Sequence, residues 1–153
     1  MTDITQRLAE LGINLPEPAA PVAAYVPTVL VGNLLYISGQ VSFENGELLK
    51  GRLGEDRDVD FGYRAARACG LMILAQVRKA VGLERVDRVV KLGAFVASSP
   101  DFTDQPKVAN GASELMEQVF GEAGRHSRSA VGVPALPLGA AVEIDAVIAV
   151  KAG

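Results

Sequence analysis

From Ala141 to Val150 the chain alternates: Val142, Ile144, Ala146, Ile148 and Val150 are separated by Glu143, Asp145 and Val147. A period of two places the first set on one face of a strand and the second on the other. The apolar set requires a cover, while the second set faces a mixed environment. This strand therefore limits the chain to folds in which a layer packs on one sheet face.

Two amphipathic stretches supply that layer. From about Asp60 to Ala80, residues Ala66, Cys69, Ile73, Val77 and Ala80 share a face. Arg64, Arg67, Arg78 and Lys79 lie opposite, with Leu71 and Ala75 intruding among them, and Gly82 ends the helix. Near Asp104 a second helix begins, capped by Thr103 or Asp104 and with Pro106 in its first turn. Val108, Ala112, Leu115, Met116 and Val119 form its buried stripe, and Gly121 and Gly124 close it.

Strands fill the rest. Val29–Val31 and Leu34–Ile37 flank the turn dipeptide Gly32-Asn33, and Gln40–Phe43 and Glu47–Lys50 flank Glu44-Asn45-Gly46. Gly51–Asp58 is a polar loop. Val86–Val96 and Arg128–Val133 are further strands, and Leu136-Pro137-Leu138-Gly139 is expected to join the last two strands as neighbours. A short helix opens the chain, capped by Thr2 or Asp3, with Ile4, Leu8 and Leu11 on one face. Pro16, Pro18, Pro21 and Pro27 then mark an extended lead-in. The order predicts an α+β fold: one six-stranded sheet, two main helices on one face and a short N-terminal helix. At 153 residues this is one domain, 1–153, with 1–20 as an N-terminal extension.

Composition removes several functions. Fifteen Lys and Arg against eighteen Asp and Glu give a net charge of −3, and aromatic residues are 5%. Neither a positive field nor a stacking platform is available for nucleic acid. One cysteine, Cys69, permits no internal disulfide, and on an apolar helix face it reads as a small hydrophobe. One cysteine and one histidine exclude a finger-type zinc site, and no metal or other cofactor is expected. Asp3, Arg7 and Glu10 stand where a secretory signal needs an apolar core, and no apolar run has spanning length. A cytoplasmic location away from membranes is expected.

Phosphate-loop and nucleophile-elbow patterns are missing, and His126 beside Ser127 is adjacency rather than triad geometry. What remains is Arg128 on one late strand and Glu143 on the next. Arginine offers a planar fork to a carboxylate, and a carboxylate orients water or moves a proton. The alternative is a structural pair, with each satisfying the other or a surface charge.

At these residues the chain resembles the Rid/YjgF family of reactive intermediate deaminases. The run from His126-Ser127-Arg128-Ser129 through Leu136-Pro137 to Val142-Glu143-Ile144-Asp145-Ala146 resembles the family's C-terminal signature. Ala24-Tyr25 followed by Gly32-Asn33-Leu34-Leu35-Tyr36-Ile37-Ser38-Gly39-Gln40 resembles its N-terminal one. The resemblance covers roughly residues 20–150 and implies a chorismate-mutase-like α+β fold. It further implies a homotrimer with clefts between subunits and cofactor-free hydrolysis of 2-imino or 2-enamino acids to 2-keto acids and ammonia. On that pattern Arg128 binds the substrate carboxylate, Glu143 positions water, Gly39 lines the site through its backbone and Tyr25 closes it.

The sequence departs from the pattern in three places. His126-Ser127 replaces Pro-Ala, and Ala130 stands at a pocket position often held by Cys. The family's asparagine of the second helix maps to Ser113, counted ungapped from Phe120, or to Asn110 one turn earlier. These departures keep a second function open, a module that holds a 2-keto acid without turnover. RNA cleavage, which one family label suggests, is disfavoured by the charge, the few aromatics and the single histidine. Val29, Val31, Leu34 and Tyr36 leave apolar residues on both sheet faces, which independently argues for a closed assembly of copies.

Overall fold

The computed structural model describes residues 3–21 and 24–152, so Thr2 as a cap lies outside the described residues. Asp3 Oδ1 accepts the Thr5 N–H at 2.9 Å and caps the first helix, α1 (Ile4–Glu10). Leu8 is buried, and Arg7 Nε donates to the Gln118 carbonyl at 2.8 Å, strapping this helix to the body. Strands β1 (Thr28–Val31) and β2 (Leu34–Val41) form the expected hairpin, with Gly32 turning at φ 61°. The second hairpin is shorter than expected: β3 (Phe43–Glu44) and β4 (Glu47–Leu48) make a separate two-stranded ribbon. Asn45 and Gly46, at φ 53° and 78°, form the tight turn that the dipeptide favours.

Helix α2 (Val59–Ala80) is capped by Asp58, whose Oδ1 accepts the Phe61 N–H at 2.9 Å, and it begins one residue before the expected Asp60. Then follow β5 (Val86–Ala97), α3 (Gln105–Phe120), β6 (Ser127–Val133) and β7 (Val142–Val150). At the start of α3 the Asp104 side chain makes no capping bond, and its carbonyl instead accepts the Lys107 and Val108 amides.

The main sheet has five strands, in the order β1-β2-β7-β5-β6, rather than six. Every neighbouring pair is antiparallel except β5 and β6. The two late strands are not neighbours, because β5 lies between them. A helical crossover through α3 makes β6 parallel to β5 and sends it to the outer edge. The Leu136–Gly139 turn, with Leu138 at φ 62° and Gly139 at φ 79°, then carries the chain past the end of β5 into the sheet centre. The alternating strand is the one suited to that place. Val142, Ile144, Ala146 and Ile148 join Leu35, Ile37, Val89, Leu92, Ala94 and Val96 in the core beneath α2 and α3.

The two helices approach closely at Gly111. A Cβ there would overlap the Tyr63 carbonyl and sit 3.0 Å from the Arg67 amide, both backbone atoms of α2. Alanine normally stabilises a helix interior by about 1 kcal/mol over glycine. Here the sign should reverse: Gly111→Ala must push the helices apart, with a net loss of about 1–3 kcal/mol. A melting temperature at or above that of the unsubstituted protein would contradict this packing.

Candidate active site

Alternation along β6 sends Arg128, Ala130 and Gly132 to the helix side, where Ala130 packs against the core. Arg128 pairs in register with buried Leu92, and Ala130 with buried Ala94. At this sheet edge Arg128 meets α3. Its Nη1 donates to Asn110 Oδ1 at 2.9 Å and to Ser113 Oγ at 3.0 Å. The two candidate positions for the family's helix asparagine are one turn apart on one helix face, and both hold the same guanidinium nitrogen. Among the described residues no hydrogen-bond partner accompanies Nε or Nη2, so that edge of the fork is uncommitted.

His126 joins this group. Its Nε2 lies 2.9 Å from Ser113 Oγ and its Nδ1 lies 2.7 Å from the Gly124 carbonyl oxygen. Burial holds its imidazole below the usual histidine range, and the Arg128 charge adds to this against the opposing Gly124 hydrogen bond. The spacing accords with this: residues 126, 128 and 130 fall on one face of an extended chain.

Glu143 lies elsewhere. It pairs in register with Phe95, three positions beyond the Arg128 partner Leu92, and both Phe95 neighbours, Ala94 and Val96, are buried under the helices. An odd offset reverses the face. Glu143 therefore points to the sheet face that carries no helix, and the structural pairing of Arg128 with Glu143 within one chain is excluded. Gly39 of β2 supports this second group: a Cβ on it would overlap Glu143 Oε2. The segment of Tyr25 runs beside Gly39. Ser38 Oγ donates to the Val26 carbonyl at 2.8 Å and the Ser38 amide to the Pro27 carbonyl at 2.9 Å, while the Tyr25 ring is 52% exposed. Partial burial raises the Glu143 carboxyl above the usual range, and the neighbouring Asp145 charge raises it further.

The expected site residues thus form two clusters on opposite faces of the sheet. One holds Arg128, Asn110, Ser113 and Ala130, and the other holds Glu143 and Gly39, beside the segment that carries Tyr25. On the same face as the second cluster, Val29, Val31 and Tyr36 are each roughly half exposed. Cys69, under β7, is fully buried, with its Sγ 3.4 Å from the Val142 carbonyl oxygen. Burial above all, and then the Glu143 charge, push its thiol far up, which suits packing and not reactivity. Among the described residues no group of three His, Cys, Asp or Glu side chains is placed to hold a metal ion. Nor, among them, is any helix long and apolar enough to cross a membrane. A groove of about 1180 Å³ lies between α1 and the end of α3 and contains none of the expected site residues.

This fold and these clusters define a class. Residues 5–148 match the family described as "YjgF/chorismate mutase-like, putative endoribonuclease", and the chain belongs to that family. Protein TCP17 of Trypanosoma cruzi is 51% identical over 148 residues, covering 95% of this chain and 92% of that protein. The human 2-iminobutanoate/2-iminopropanoate deaminase is 30% identical over 137 residues, covering 88% and 86%. Among solved structures, a protein of unknown function from Agrobacterium tumefaciens superposes with a TM-score of 0.90 at 48% identity, covering 97% of this chain and 92% of that one.

Proposed function

We propose that this chain hydrolyses reactive 2-imino or 2-enamino acids to 2-keto acids and ammonia, as a cytoplasmic homotrimer whose sites lie between subunits. The observation that carries the reading is the Arg128 guanidinium. It is anchored through one nitrogen by Asn110 and Ser113 while its other edge is left for a ligand. An arginine held this way accepts a planar carboxylate in two-pronged fashion. The kinship with proteins named 2-iminobutanoate/2-iminopropanoate deaminase supports a 2-imino acid as the carrier of that carboxylate.

In this reading Arg128 fixes the carboxylate, and the adjacent imine carbon is presented to water. Glu143 orients the water and takes its proton as the C–O bond forms. Glu143 passes that proton to the nitrogen, giving the carbinolamine, and then moves the hydroxyl proton the same way as the C–N bond breaks, which leaves a C=O bond and ammonia. A carboxyl raised by burial and by Asp145 is closer to neutrality than an ordinary glutamate, which suits a group that must both accept and return a proton. Gly39 leaves room for the carboxylate of Glu143 and Tyr25 covers the ligand.

Arg128 and Glu143 point to opposite faces, so one chain cannot bring them to one substrate. A second copy whose Glu143 face meets the Arg128 edge can. The exposed Val29, Val31 and Tyr36, which share the face of Glu143, supply apolar surface for that contact. Sedimentation at micromolar concentration should give a trimer, and a stable monomer would remove the basis for shared sites. The same separation gives the second reading its footing. If assembly does not deliver Glu143 to Arg128, the arginine cluster holds a 2-keto acid without turnover. Generating 2-iminopropionate or 2-iminobutyrate in situ and following its loss distinguishes the two. Hydrolysis should accelerate with protein, and pyruvate binding with an unchanged imine lifetime would favour the binding module.

A further inference from the structure

The bonds behind Arg128 run in one direction. A carbonyl oxygen only accepts, so in the neutral ring His126 Nδ1 carries the proton toward Gly124 and Nε2 is an acceptor. The Ser113 hydroxyl proton is then committed to His126 Nε2, and the Ser113 oxygen faces Arg128 with its lone pairs. The sequence is Arg128 to Ser113 to His126 to the Gly124 carbonyl, each group donating to the next. Such chains strengthen their members and remove rotational freedom from the hydroxyl. The same contacts argue against a nucleophilic serine, because the oxygen that would attack is already held by the guanidinium.

We infer that Ser113 and His126 are positioning residues for Arg128, pinning the Nη1 side of its guanidinium so that the Nε–Nη2 edge is the one offered to a planar carboxylate. This rests on the reading of Arg128 as the carboxylate site. Without the His126 acceptor the Ser113 hydroxyl is free to turn its proton toward Arg128, which removes one of the two anchors. The guanidinium then samples more orientations, and ordering it falls to the ligand. Asn110 alone fixes one nitrogen but not the plane of the fork.

The test uses the full chain as unsubstituted protein and as Ser113→Ala, His126→Ala, His126→Gln and Arg128→Ala, with pyruvate as the binding probe and imine loss as the kinetic one. Ser113→Ala and His126→Ala should weaken pyruvate and raise KM about tenfold, the loss of one hydrogen bond to a charged group. Their kcat should stay within about twofold, since the reacting atoms are untouched. His126→Gln, whose amide oxygen reaches the Nε2 position, should recover most of the affinity. The chain has one histidine, so nitrogen NMR reads this ring without ambiguity. It should show the Nδ1–H tautomer, with an Nε2 signal that shifts in Ser113→Ala.

Unchanged pyruvate affinity and KM in folded Ser113→Ala, or an Nε2–H tautomer in the unsubstituted protein, would overturn the inference. Both measurements stand even if His126→Ala fails to fold. A protein that does not bind pyruvate, or binds it equally well as Arg128→Ala, overturns the carboxylate reading itself and this inference with it.

Discussion

Arg128→Ala protein should fold, assemble and lose its ligand. Removing a cation from a partly desolvated carboxylate site costs roughly 2–5 kcal/mol of binding or transition-state stabilisation. That is about 30-fold to several thousand-fold at 1.4 kcal/mol per decade. Arg128→Lys should recover little of it. An ammonium carries the charge, but it cannot be held by Asn110 and Ser113 on one side while presenting two parallel N–H groups on the other. Arg128 stands on an edge strand and its recorded partners are two side chains of α3, so the thermal midpoint should move by far less than the activity. Pyruvate titration beside thermal melting separates the effects. Undiminished deaminase activity in folded, trimeric Arg128→Ala protein would defeat the assignment.

Glu143→Gln should have its large effect on turnover. The amide keeps the shape beside Gly39 but can neither take a proton nor orient water by charge, so kcat should fall about 10²- to 10⁴-fold while pyruvate affinity changes little. Stability should move the other way. The folded carboxyl sits above its ordinary range because of burial first and Asp145 second. An acid raised on folding contributes stability that is present below its unfolded pKa and lost as pH rises through the folded one. At neutral pH, above the unfolded pKa, Glu143 therefore weighs against the fold, and Glu143→Gln should melt no lower than the unsubstituted protein. A midpoint clearly lowered at neutral pH, together with intact turnover, would return Glu143 to a structural role.

The parts of this protein that were legible beforehand are those governed by local periodicity. The stripe Val108, Ala112, Leu115, Met116 and Val119 is fully buried or nearly so, and the alternation from Val142 to Val150 describes the central strand. The hairpin turns at Gly32 and at Asn45-Gly46 were carried by residues that tolerate the left-handed region. What failed was non-local. A short Leu136–Gly139 connection reads as a link between adjacent strands, yet strand order is decided by how α3 crosses from β5 to β6, and no residue in the connection records that. The error mattered for the site, because strands taken as neighbours suggested that Arg128 and Glu143 face one ligand together. Register on β5 shows them an odd number of positions apart, on opposite faces. The uncertainty between Asn110 and Ser113 dissolved for a local reason: three residues apart on a helix, both reach Nη1. The period of two places His126 with Arg128, but its bond to Ser113 depends on the packing of α3 against the sheet edge.

The central claim, that a site for imine hydrolysis is completed by Arg128 of one copy and Glu143 of another, is tested most directly by mixing two inactive proteins. Arg128→Ala and Glu143→Gln chains carrying different affinity tags are co-expressed, and assemblies containing both are isolated through the two tags. Each parent alone has no intact site. In a mixed assembly, an interface that joins the unsubstituted Arg128 of one chain to the unsubstituted Glu143 of the other is whole. In a closed trimer that contains both chains, two-to-one or one-to-two, that is about one interface in three. Recovery of roughly a third of the unsubstituted rate of imine loss is the predicted result. Mixed assemblies as inactive as either parent would contradict a site shared between copies.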